Sequence, residues 1–176
     1  MSIREVLQIG NSRAVADRVV TMALADEERL VELMVCMFGN DVRLAQRAAH
    51  AVGLIGREEP LVLTPWFNDL VNAIEDPIHQ SLRRCGVRYF SELKSGIPKA
   101  LEKRLIHLCM KLLADRKSEI AISAFAMQFV ADRVAQYPSV REELILCLQT
   151  GLFGGSTGYC NRARKVLRQI GADTTS

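Results

Sequence analysis

One pattern repeats from end to end of this chain: a helix-capping residue, an apolar stretch with helical spacing, then a stop. Ser2 with Glu5 makes a capping box for a short helix ending near Gly10. Ser12 caps a helix to about Leu24, and Asp26 caps Glu27 to Phe38, which stops at Gly39-Asn40. Asp41 caps Val42 to Ile55, closed by Gly56. Thr64-Pro65 and Asp76-Pro77 each set a cap before a proline at the first helical position, predicting helices to about Glu75 and Leu93. Ser95-Gly96 breaks the second, and Pro98 opens Lys99 to Ala114. Ser118 or its neighbours start a long helix to Gln136, ended by Tyr137-Pro138, and Ser139 with Glu142 makes a further capping box leading to Leu152. Gly154 and Gly155 interrupt the chain, and a last helix runs from Ser156 to about Ile170 with Gly171 just past it. Val19-Val20 and Leu61-Val62-Leu63 are β-friendly but too short to alternate as strands.

The helices pair. Second members begin near Asn11, Asp41, Asp76, Ser118 and Ser156, roughly 30 to 42 residues apart, which is the period of helical hairpin arrays. The expected fold is all-α: an α-α superhelix of about four to five helical hairpins, with no β-sheet. It should form a single domain over residues 1–171, with a frayed tail at 172–176. A closed bundle that imitates a repeat is the competing arrangement.

The segment 44-LAQRAAHAVGLIG-56 carries the sharpest signal. Small residues at Ala45, Ala48, Ala49 and Gly53 let a neighbouring helix approach, while Val52 and Ile55 supply buried area. It resembles the second helix of a HEAT repeat, whose usual form is close to V-R-R-A-A-A-E-A-L-G-x-I-G. That resemblance implies that Asp41 and Arg47 form the structural pair linking neighbouring repeats. Ser156 and Arg162 keep the same spacing with a serine, and Asp76 has Leu82 there with Arg83 and Arg84 next door. The stretch 118-SEIAISAFAMQFVADRVAQYP-138 keeps the small-and-apolar pattern without the pair. The resemblance spans roughly Asn11 to Ile170. Asp76-Pro77, 123-SAFAMQFVADRVAQYP-138 and 160-CNRARKVLRQI-170 further resemble a small family of HEAT-like proteins seen in Bacteroidetes, which implies the armadillo-type fold and no particular activity.

Composition narrows the function less. The chain is 49% hydrophobic and 24% charged, a balance that builds a core rather than a disordered tail. A formal charge of +3 selects a partner class only if it is gathered on one face. Cys36, Cys85, Cys109, Cys147 and Cys160 stand apart in apolar contexts and read as free thiols packed in the core. His50, His79 and His107 each stand alone in a helix with no metal spacing. No cofactor, no metal and no catalytic residue is expected. The uncharged run Ile120 to Ala131 is too short to cross a bilayer, and the N-terminus carries no secretory pattern. The expected location is cytoplasmic, without a membrane.

The glycine-rich 151-GLFGGSTG-158 precedes a helix but lacks the phosphate-loop order and a leading strand, so it reads as an inter-helix turn, with a weak anion site as the alternative. Trp66 and Phe67 read as packing residues, which argues against the alkylated-base excision that some HEAT-like proteins perform. In a helical array the second helices line the inner side. Their helical spacing puts Arg43 and His50 on one stripe, Gln80, Arg84 and Arg88 on the next, then Gln128 and Arg133, then Arg164 and Arg168 beside Lys165. This ridge is the expected binding surface. It suits a non-enzymatic protein–protein interaction scaffold or adaptor. A nucleic-acid binder using the same basic face is the alternative, and a homodimer through a terminal repeat remains open.

Overall fold

Apolar positions every three or four residues make helices wherever they are capped, and the computed structural model, which describes residues 1–172, contains only helices and turns among them. The expected all-α class is what forms. Four positions of the expected tail, 173–176, lie outside the described residues. The chain divides into two compact units, one over residues 1–89 and the other from residue 90 onward.

The first unit begins with α1 (Ile3–Ile9), α2 (Arg13–Ala25), α3 (Glu27–Phe38) and α4 (Val42–Glu58). A 3-10 helix over Pro60–Trp66 leads into α5 (Phe67–Glu75), and α6 (Gln80–Glu92) follows, with the boundary between the units falling after its Tyr89. α1 packs on α2 and α3 on α4 as hairpins, while α2 also packs on α4 and α1 on α3. First helices therefore stack on first helices and second on second, in two layers. The buried face of α4 carries Ala45, Ala48, Ala49 and Ala51, whose small side chains allow three helices to crowd it. Ile3, Leu7, Leu33 and Met37 fill the space between the layers with at most 1% exposure, each worth about 2 kcal/mol of burial. Short α1 is also tied down by Glu32 of α3, whose carboxylate accepts from Ile3 N at 3.0 Å and Arg4 N at 3.2 Å.

The same grammar builds the second unit. It contains α7 (Lys99–Ala114), α8 (Ile120–Ala131), a 3-10 turn at Pro138–Val140, α9 (Arg141–Leu152) and α10 (Thr157–Gln169). α7 pairs with α8 and α9 with α10; α8 packs on α10 and α7 on α9. Leu105, Phe129 and Leu148 are fully buried in it.

Caps made by one side chain on its own helix were legible. The Ser2–Glu5 box forms, and Ser12, Asp26, Asp41 and Ser156 each accept an amide of the helix they start. Gly171 takes φ +68, the left-handed end of α10. Other boundaries move. α4 runs on through Gly56 to Glu58, because Gly56 makes room for Tyr89: a Cβ there would sit 2.8 Å from Tyr89 Cδ2. Thr64 does not cap α5. Its hydroxyl donates to Leu61 O at 2.7 Å within the 3-10 turn. Asp76-Pro77 lies in a turn, and the residue that accepts an amide at the start of α6 is His79, whose Nδ1 takes Ser81 N at 3.1 Å. α8 stops at Ala131, well before Gln136, as bonds such as Arg133 N to Val130 O tighten the chain into turns. The expected Ser139–Glu142 box does not form; α9 starts without a side-chain cap.

Candidate binding surface

Every helix ends in carbonyls with no partner in the helix, at its negative pole. In this protein arginines from neighbouring elements meet those ends. Arg47 of α4 donates to Leu7 O at 2.7 Å and Gln8 O at 3.1 Å, at the end of α1. Arg83 of α6 donates to Ile74 O at 2.7 Å and Glu75 O at 2.9 Å, closing α5. Arg116 reaches Thr150 O near the end of α9 at 2.8 Å. Arg141 reaches Ile170 O at 2.9 Å and Gly171 O at 3.2 Å, closing α10.

The Asp41–Arg47 link therefore takes another form. Asp41 Oδ1 accepts from Arg43 N at 3.0 Å and Leu44 N at 3.1 Å on its own helix, while Arg47 serves the end of α1. Replacing Arg47 with Met is expected to cost about 1.5–3 kcal/mol, the worth of charge-assisted hydrogen bonds to carbonyls. Urea unfolding gives the loss, and hydrogen exchange should show it first in α1; unchanged α1 protection would count against the tie.

Arg133 is also drawn inside. Its Nε lies 2.7 Å from Glu102 Oε1, with only 7% and 11% of the two side chains exposed. The same guanidinium donates to Phe129 O at 3.1 Å and Leu93 O at 3.3 Å, and lies 3.8 Å over the Phe129 ring. Tyr137 donates to Glu102 Oε2 at 2.8 Å, and that bond, with some burial, raises the phenol above its ordinary range. Beside this cluster, Asp132 Oδ1 accepts from Gln169 at 2.8 Å, and Lys94 stands 3.4 Å from Asp132 Oδ2. Gln128 bonds to Asp132 and Gln169, and accepts from Arg162 at 2.9 Å. Arg162 Nε is buried without a partner. Of the expected ridge, then, Gln128 and Arg133 sit in side-chain networks of the second unit and are not displayed as a surface stripe.

The remaining ridge residues, Arg88 excepted, are displayed. In the first unit Arg43 and His50 of α4 are exposed, as are Gln80 and Arg84 of α6; Arg88 is half-buried. In the second unit Arg164, Lys165 and Arg168 of α10 are exposed, with Arg168 Nε 3.4 Å from Arg164 O. An exposed guanidinium presents a planar fork that matches a carboxylate or a phosphate. Sequence reasoning missed Arg116 and Arg141 as helix-end ties. Their only signal is an arginine facing a helix end that lies elsewhere in the chain.

The cysteines are free, four buried and Cys147 half-buried. Burial pushes the Cys85 and Cys109 thiols up to about 12, so they stay neutral and unreactive at neutral pH. Among the described residues, no group of three His, Cys, Asp or Glu side chains is placed to hold a metal ion, and no helix is long and apolar enough to cross a membrane.

A search of curated proteins finds no match. A family model described as the HEAT repeat domain matches residues 3–169.

Proposed function

The chain belongs to the HEAT repeat domain family, and from that premise we propose that it works without catalysis, as a scaffold or adaptor binding an acidic surface of another protein through the cation-bearing faces of its second helices. One observation carries this reading: nine of the seventeen arginines fall into two sets. Arg47, Arg83, Arg116 and Arg141 are turned onto helix ends, and Arg133 onto Glu102. Arg43, Arg84, Arg164 and Arg168 remain at the surface of α4, α6 and α10. The first set holds the hairpins; the second is exposed, where a partner can meet it even though Arg84 and Arg168 also keep contacts within the chain. Five reduced cysteines fit a reducing compartment such as the cytoplasm.

The test is charge reversal in each unit. Arg43→Glu with Arg84→Glu, and separately Arg164→Glu with Arg168→Glu, should each weaken partner binding by about tenfold or more and flatten its salt dependence. Thermal unfolding should show the fold retained in both pairs, because the reversed side chains are exposed. Affinity unchanged by both pairs would sink the surface assignment.

A further inference from the structure

In the first unit the end of α3 lacks the arginine tie that closes α1 and α5. Among the described residues, no backbone amide and no side chain donates to its last carbonyls, those of residues 35–38. The repeat explains the difference. Arg47 stands on α4 at a set spacing from Asp41, and its Nη1 serves both Leu7 O and Gln8 O at the end of α1. In the next hairpin the same spacing from Asp76 falls on Leu82. Leu82 lines a cleft of about 320 Å³ together with Phe38 and Gly39, so it faces the end of α3 as Arg47 faces the end of α1. A leucine has no donor to offer, and the carbonyls stay open.

The rest of the cleft suits the group that is missing. Phe38 and Gly39 bring the negative pole of α3 to it. Asp69 of α5 and Asp76 of the following turn add two carboxylates, both exposed, and among the described residues neither has an ion-pair partner. No lysine, arginine or histidine of the chain lines it. Phe38, Ala73, Ile78 and Leu82 form an apolar wall. An apolar sleeve beside anionic acceptors fits a side chain that is hydrocarbon along its stem and cationic at its tip. It does not fit a bare metal ion, which takes oxygen ligands on all sides.

We propose that this cleft binds an arginine side chain presented by a segment of another protein, in the place that Arg47 fills one hairpin earlier. Arginine rather than lysine follows from the acceptors. They come from three places, the end of α3, Asp69 and Asp76, and a guanidinium has five donors in a planar fork to divide among them, where an ammonium is a compact charge with three. The site is separate from the exposed arginines of α4 and α6. Those arginines meet acids of a partner, and this cleft meets a base.

Titration of the isotope-labelled full chain with Nα-acetyl-arginine amide, followed by the backbone amide signals, tests the assignment. The lysine analogue and the citrulline analogue, which keeps the shape of arginine without its charge, are the companion probes. Saturable shifts at Gly39, Asn40 and Asp76 are expected with the arginine probe, binding about threefold weaker or more with lysine, and no shifts with citrulline. Asp69→Asn with Asp76→Asn should weaken the arginine probe about tenfold. Glu27→Gln with Glu28→Gln, at the opposite end of α3, should leave it unchanged. All four side chains are exposed, so both double variants keep the fold. Absence of saturable shifts at these amides, equal affinity for arginine and either companion probe, or arginine binding untouched by the Asp69 and Asp76 changes would overturn the proposal.

Discussion

Replacing Arg133 with methionine is expected to destabilise the protein by about 3–5 kcal/mol, the cost of breaking a buried ion pair from one side. The guanidinium joins four groups: Glu102, the carbonyls of Phe129 and Leu93, and the Phe129 ring. Removing it leaves the Glu102 carboxylate buried, held only by the Tyr137 hydroxyl. The double variant Glu102→Met with Arg133→Met removes the stranded charge along with the pair. It should therefore recover roughly half of the loss or more, since exchanging a whole buried pair for apolar side chains is often close to neutral. Urea unfolding of the two single variants and the double closes the cycle, and a coupling energy above about 2 kcal/mol is expected. A loss below about 1 kcal/mol for Arg133→Met alone would mean that water already reaches the pair.

The second large effect comes from adding atoms. Gly86→Val is expected to cost about 2–3 kcal/mol. Glycine is a poor helix former, so propensity alone would favour the valine by a few tenths of a kcal/mol or more. Packing decides the sign. A Cβ at position 86 would lie 2.8 Å from Ile74 Cγ1, 3.0 Å from Ile74 Cδ1 and 3.3 Å from Leu70 O. The last is backbone of α5 and cannot swing aside, so α5 and α6 must move apart. Gly10→Ala is the control. Its backbone is extended and nothing lies within 4 Å of the added carbon. Thermal unfolding should show Gly10→Ala neutral or slightly stabilised and Gly86→Val clearly lowered. Equal midpoints for the two variants would refute the close α5–α6 approach.

What could be read from the sequence was local. A serine or aspartate that bonds to an amide two or three residues ahead announces a helix without reference to the rest of the chain, and Ser2, Ser12, Asp26, Asp41 and Ser156 do so. The small residues of α4 likewise announced a crowded helix. The misplaced boundaries depend on distant partners. Gly56 looks like a helix stop until Tyr89 is seen against it. Arg133 falls on a helical stripe only if α8 continues past Ala131. The chain turns there, and the side chain swings toward a glutamate 31 positions away. Arg83 and Arg84 are neighbours that point about 100° apart on a helix. Spacing alone could not say that Arg83 goes to the end of α5 while Arg84 is exposed.

The division of the arginines is tested most directly by capturing the tagged full chain from its native cell extract, with and without nuclease, beside two variants. One reverses exposed charges, Arg43→Glu with Arg84→Glu; the other alters a helix-end arginine conservatively, Arg47→Lys. A stoichiometric protein that survives nuclease, stays with the wild type and Arg47→Lys, and is lost from the charge-reversed variant is the predicted result. Bound material that disappears with nuclease, or a protein partner indifferent to the reversed charges, would contradict it.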